Sequence, residues 1–162
     1  EEAFVSLMNS YAQRIGMKNT RFMNPHGLSA EGHISTARDL ALMGRAMARD
    51  YPEAYAYNKM KEFTVNGITQ HNRNGLLWKD PSVDGIKTGH TSGAGYCLLA
   101  SAQRDKQRLV SIVMGIDSKS QAEGFRFREM GNLNLLNWGF RFFESHPLYA
   151  AGAKIAEEKF NT

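Results

Sequence analysis

The chain has 162 residues, 42% of them hydrophobic and 22% charged, with a net charge of +4. That balance fits one globular domain or a large piece of one and excludes a disordered chain. No apolar run reaches the roughly 18 residues of a bilayer span, and the basic excess, spread without any charge run, suits an acidic partner but does not name it. The single Cys97 rules out an internal disulfide and a cysteine-based metal site, and its setting in Tyr96-Cys97-Leu98-Leu99 reads as a buried small hydrophobe. Glu1 is followed at once by an amphipathic pattern, so the chain is expected to begin inside a longer protein.

In chain order, Phe4, Leu7, Met8, Tyr11 and Ile15 fall at helical spacing, which predicts a helix over 3–15 that ends at Gly16. Residues 20–32 contain Asn24-Pro25-His26-Gly27 and Glu31-Gly32 and read as an irregular loop. A second helix should start at Ser35 or Thr36, with Thr36 and Asp39 as a short-armed capping box and Leu40, Met43, Met47 and Ala48 inward. Glu62-Phe63-Thr64-Val65 alternates and ends at Asn66-Gly67, which predicts a hairpin returning through 68–72. A loop through Asn74-Gly75 and Asp80-Pro81 should come next. An antiparallel meander is then expected, with its first strand from Ile86 and two apolar strands over 95–102 and 108–115. Residues 117–127 read as a loop, and 128–143 as a helix across the sheet with Leu133, Leu136, Phe140 and Phe143 inward. The tail 148–162 is too short for a core of its own.

Lys87-Thr88-Gly89 is the most informative triplet, because it heads an apolar hairpin. On an edge strand such residues can receive an extended peptide, with Lys87 and Thr88 meeting its carboxylate and Gly89 allowing close backbone approach. Alone, the triplet is common and reads first as a solvated edge strand. His26 and His33 lack helical ligand spacing and no His-Glu-x-x-His run occurs, so metal catalysis is set aside. Nucleic-acid binding has only the basic charge behind it and is also set aside.

The segments Asn24-Pro25-His26-Gly27-Leu28, Thr36-Ala37-Arg38-Asp39-Leu40, Asn72-Arg73-Asn74-Gly75-Leu76-Leu77, Val83-Asp84-Gly85-Ile86-Lys87-Thr88-Gly89-His90-Thr91 and Asn137-Trp138-Gly139-Phe140-Arg141-Phe142-Phe143 occur in that order. Together they resemble the low-molecular-mass penicillin-binding proteins that act as serine D-alanyl-D-alanine carboxypeptidases, typified by penicillin-binding proteins 5 and 6. The resemblance implies an α+β, β-lactamase/transpeptidase-like fold, an antiparallel sheet packed with helices. Residues 1–146 would be the C-terminal portion of the catalytic domain, and 147–162 a linker and the start of a β-rich domain.

That family works through Ser-x-x-Lys, Ser-x-Asn and Lys-Thr-Gly. Only the last is present: no Ser here has Lys three positions on or Asn two positions on. The nucleophile is therefore expected upstream of Glu1. By resemblance, Lys87 supplies positive charge beside the nucleophile, and the His90 N–H is one oxyanion donor. The His90 imidazole is read either as part of the site or as a plain edge-strand side chain. Thr88, Gly89, Arg128 and Arg73 would bind substrate, and His26 would support the loop at the cleft floor. No Glu lies in 24–30, unlike the deacylating loop of class A β-lactamases. The implied partners are a peptidoglycan stem peptide ending in D-Ala-D-Ala and β-lactam antibiotics, with no cofactor. The implied location is the periplasm, peripheral on the inner membrane through a segment outside this chain. The competing readings are a catalytically inert fragment, or a module that keeps a peptide-binding cleft wall without a nucleophile, and, second to these, a class A-like β-lactamase.

Overall fold

The computed structural model describes residues 1–150 and 152–156. Helix α1 spans Glu2–Arg14, and Gly16, at φ +89°, turns the chain so that the Met17 N–H reaches back to the Ala12 carbonyl. The helix is the one expected, and along its apolar stripe Phe4 and Leu7 are exposed, while Ala12 is buried. Amphipathic spacing specifies a helix with an apolar face. What covers that face is decided by the elements around it.

Helix α2 spans Ala37–Asp50 and begins where the sequence predicts, with Thr36 Oγ1 accepting the Asp39 N–H at 3.2 Å. The Asp39 carboxylate turns inward, accepting the Asn19 N–H at 2.8 Å and the Thr20 hydroxyl at 2.7 Å. It thereby ties the irregular loop to the helix. A short helix α3, Pro52–Tyr55, continues as a 3-10 turn over Ala56–Lys59. Strands β1, Glu62–Val65, and β2, Ile68–His71, form the expected hairpin, with Asn66 and Gly67 both at positive φ.

The region expected as a loop before the sheet contains one helical turn, α4, Leu76–Lys79, whose Leu76 and Leu77 are buried. Strand β3 spans Val83–Thr91, so the meander starts three residues before Ile86. It continues through β4, Gly95–Arg104, and β5, Gln107–Ile116, in the antiparallel order β3-β4-β5.

Helix α5 spans Gln121–Phe142 and overturns the loop expected at its start. Ser120 Oγ accepts the Glu123 N–H at 3.2 Å, so Ser120-x-x-Glu123 is an N-terminal helix signal that the polar composition of 117–127 hides. Gly124, Arg128, Asn132, Leu136 and Gly139 form its buried stripe. Phe143, expected inward, is exposed because the backbone is already extended there and swings the ring off the helix face.

The sheet is covered on both faces. Leu98, Ala100, Ala102 and Val83 pack with Leu76, Leu77 and Leu136 on the α5 side. On the other side Tyr55, Ile86 and Leu99 meet Met43, Met47 and Ala48. Complete burial of Leu98 and of Leu136 contributes about 1.5–3 kcal/mol each. Gly44 sets how closely α2 crosses, since a Cβ there would lie 2.9 Å from Ile86 Cδ1. Cys97, expected to be buried, is half-buried, with Sγ near the Ala94 and Gly95 carbonyls. It lies too close to the open end of β4 for full cover. Residues 143–150 and 152–156 carry no helix or strand, and the expected start of a second domain at 147–162 falls partly outside the described residues.

Candidate active site

The last third of β3 carries the candidate residues. Lys87, Gly89 and His90 are exposed and Thr88 is half-buried, at an edge of the sheet as the described residues form it. Register sets their faces. Lys87 pairs with Leu99 and Gly89 with Cys97, whereas Thr88 pairs with Leu98 and His90 with Tyr96. Lys87 Nζ donates to the Thr88 carbonyl. Burial, and then the nearby Arg73 and Arg128 guanidinia, hold the Lys87 ammonium below the usual lysine range.

Arg73 and Arg128 are placed very differently. Arg73 is exposed on the segment between β2 and α4. Arg128 is 1% exposed on α5, and its NH2 donates to the Arg73 carbonyl at 2.9 Å. Its NH1 lies 3.4 Å from the carbonyls of both Gly89 and Cys97, and Nε has no partner among the described residues. Arg128 thus joins three backbone segments, while Arg73 is exposed and its charge acts on both Lys87 and Arg128. Burial lowers the Arg128 pKa, with Arg73 adding to the effect, but guanidinium stays charged at any physiological pH.

Neighbouring polar groups to which the sequence assigned no role fix these segments. Asn74, fully buried, donates from Nδ2 to the Gly85 carbonyl at 3.0 Å and accepts the Leu76 N–H, which ties the Arg73 segment to β3. Glu129 accepts from Lys79 at 2.6 Å and from the Gly75 N–H at 3.2 Å. Asn132 bridges the Leu98 carbonyl and the Ser111 hydroxyl. Asn74 stands inside the Asn72-Arg73-Asn74 run, which is its sequence signal. Glu129 and Asn132 carry none, because their partners come from distant segments.

His26 is exposed and accepts the Leu28 N–H at 3.2 Å, so it helps to shape its loop. The main tie in that loop is Asn24, which bonds the Leu28 carbonyl at 3.0 Å and the Gly27 N–H at 2.8 Å. Ser29 reaches Thr91 at 3.2 Å and connects the loop to β3. No group of His, Cys, Asp and Glu among the described residues has the arrangement to hold a metal ion.

Lys87, Arg73 and Arg128 therefore converge without a salt-bridging carboxylate among the described residues. Such a cluster is suited to receive an anion at the edge of a strand.

The family model for D-alanyl-D-alanine carboxypeptidase, peptidase family S11, matches residues 1–118. D-alanyl-D-alanine carboxypeptidase DacA of Escherichia coli K12 is 52% identical over 98% of this chain, and DacA of Haemophilus influenzae is 48% identical over 96%. The chain spans 38% and 39% of the lengths of these two relatives. The crystal structure of penicillin binding protein 6B from Escherichia coli superposes with a TM-score of 0.81 at 46% identity, covering 97% of this chain and 48% of that one. Penicillin-binding protein D2 from Listeria monocytogenes, solved in an ampicillin-bound form, superposes with a TM-score of 0.73 at 33% identity, covering 85% of this chain and 55% of that one. The fold is accordingly the β-lactamase/transpeptidase-like fold that the motifs implied. A family model that fits most of the chain and relatives that match nearly all of it place this chain in the D-alanyl-D-alanine carboxypeptidase family S11.

Proposed function

We propose that this chain forms one wall of the active site of a serine-type D-Ala-D-Ala carboxypeptidase, whose nucleophile lies in a part of the protein upstream of Glu1. The observation that carries the reading is the convergence of Lys87, Arg73 and Arg128 on the edge strand, with no acid paired to any of them among the described residues. A peptide ending in a free carboxylate supplies both an extended backbone and the missing negative charge.

In this reading the stem peptide lies along β3, and Thr88 and Arg73 hold its terminal carboxylate. Arg128 adds fixed charge from below and holds the Arg73 and Gly89 backbones in place. The upstream serine attacks the penultimate D-Ala carbonyl. The negative charge that forms on that oxygen meets the His90 N–H. Lys87 provides positive charge beside the nucleophile. Collapse of the tetrahedral species breaks the peptide bond and expels the last D-Ala as the free amine, and water then hydrolyses the acyl-enzyme. β-Lactams would acylate the same serine. Gly89 leaves room for backbone approach at the strand. Residues 1–146 belong to the catalytic domain. The protein works in the periplasm, peripheral on the inner membrane through a segment outside this chain. Among the described residues no helix is long and apolar enough to cross a membrane.

The test is mass spectrometry of the full-length protein after exposure to penicillin, with D-Ala release measured on a D-Ala-D-Ala peptide. The expected result is one penicilloyl adduct on a serine outside this chain and release of free D-Ala. An adduct on a serine of this chain, or neither adduct nor release, would overturn the proposal.

A further inference from the structure

The first turns of α5 make contacts at the substrate end of β3 that none of the assigned roles uses. The His90 and Tyr96 rings stack at 3.9 Å between centroids with 23° between planes. Tyr96, 8% exposed, meets the Phe125 ring edge-on at 5.8 Å and 83°. Phe125 in turn lies against the Arg128 guanidinium, 4.3 Å from ring centroid to Cζ. A continuous chain of contacts therefore runs His90–Tyr96–Phe125–Arg128, linking the candidate oxyanion residue to the buried arginine.

Two features hold this chain in place. A Cβ on Gly124 would sit 2.3 Å from the Tyr96 ring, so only glycine lets α5 press flat on that face. The cap at Ser120 starts the helix early enough for Gly124 and Phe125 to be helical. Stacked and edge-on rings, and a cation against a ring face, favour one relative geometry, which a merely apolar filler would not impose.

We propose that Tyr96 and Phe125 are positioning residues, which set the His90 strand end and the Arg128 guanidinium at the geometry the reaction requires. The inference rests on the proposed carboxypeptidase reading and deepens it. The ring of Tyr96 makes these contacts, and its hydroxyl takes no part in them, so the ring itself is the working part.

The experiment uses the full-length protein, with rates expressed per site titrated by labelled penicillin so that misfolded material does not count. Tyr96→Leu and Phe125→Leu should each lower kcat/KM for a D-Ala-D-Ala peptide about three- to tenfold. Tyr96→Phe and Phe125→Tyr, which keep the rings, should restore the wild-type rate. The Tyr96→Leu/Phe125→Leu double variant should lose less than the product of the single losses, because both rings act through one chain of contacts. If Tyr96→Leu titrates no sites, Phe125→Leu carries the test on its half-buried ring. Wild-type rates in the leucine variants would overturn the proposal, as would equal losses in the leucine and ring-keeping variants. A wild-type protein that neither releases D-Ala nor binds penicillin would instead bring down the carboxypeptidase reading, and this inference with it.

Discussion

The two ends of β3 handle charge in opposite ways. At the Val83 end both arginines have a carboxylate: Arg108 meets Asp84 at 2.7 Å, and Arg104 meets Asp80 at 2.8 Å. Tyr55 donates to Asp84 at 2.9 Å, and burial above all pushes its phenol up to about 12. At the other end Lys87, Arg73 and Arg128 gather with no such partner among the described residues. Folding alone gives no reason to collect like charges, since their repulsion destabilises the compact state. The paired end serves the fold, and the unpaired end is the one that the proposed function gives to an anionic substrate.

This contrast breaks most readily at Lys87. In the full-length protein, Lys87→Ala should lower kcat/KM for D-Ala release by about 10²–10³-fold, the scale of losing one fixed electrostatic stabiliser. Near-normal turnover would place the working charge elsewhere. Next in size, Arg73→Ala removes one charge-assisted contact of about 1.5–3 kcal/mol, a roughly ten- to hundredfold loss. A substrate with an amidated C-terminus should lose less, because the partner charge is already gone. Equal losses on both substrates would remove Arg73 from carboxylate binding.

The paired end should respond in stability and not in rate. Asp84→Asn leaves Arg108 without its counter-charge, and we expect a loss of about 1–3 kcal/mol in a denaturant titration with kcat/KM little changed. A large rate effect with normal stability would erase the distinction between the two ends.

The smallest expected effect is in pH dependence. An amine is charged below its pKa, and the Lys87 value is depressed, so its charge is lost at a lower pH than for an ordinary lysine. With Lys87 as the charge beside the nucleophile, kcat/KM for D-Ala release should accordingly fall on the alkaline side below the ordinary lysine range. Between the depressed and ordinary values the unfolded chain binds more protons than the folded one, so the contribution of Lys87 to stability rises with pH there. Because Arg73 is one cause of the depression, Arg73→Gln should move the alkaline limb of kcat/KM upward. An unmoved limb would mean that the two charges do not share a site.

The local signals in the sequence are legible where a short-range rule governs them. Thr36 with Asp39, Asn66-Gly67, Gly16 and the alternating runs of β4 and β5 each specify an element through contacts only a few residues long. The same holds for the placing of Lys87-Thr88-Gly89 on the edge strand β3, and Ser120-x-x-Glu123 is equally local although the composition of 117–127 suggests a loop. Other features depend on residues far apart in the chain. Whether the apolar stripe of α1 is covered, whether Arg128 points outward or lies beneath three carbonyls, and which ring backs His90 were decided by tertiary contacts. A side chain carries its charge and shape in its identity, so the sequence determined that cations and a glycine would stand near the strand end. Their partners are set by packing across separations of about 30 to 55 residues, as in Arg128 with Cys97, Gly89 and Arg73. Only the assembled fold brings those atoms within reach, and so only the tertiary structure decided that Arg128 is buried beneath three carbonyls while Arg73 stays exposed.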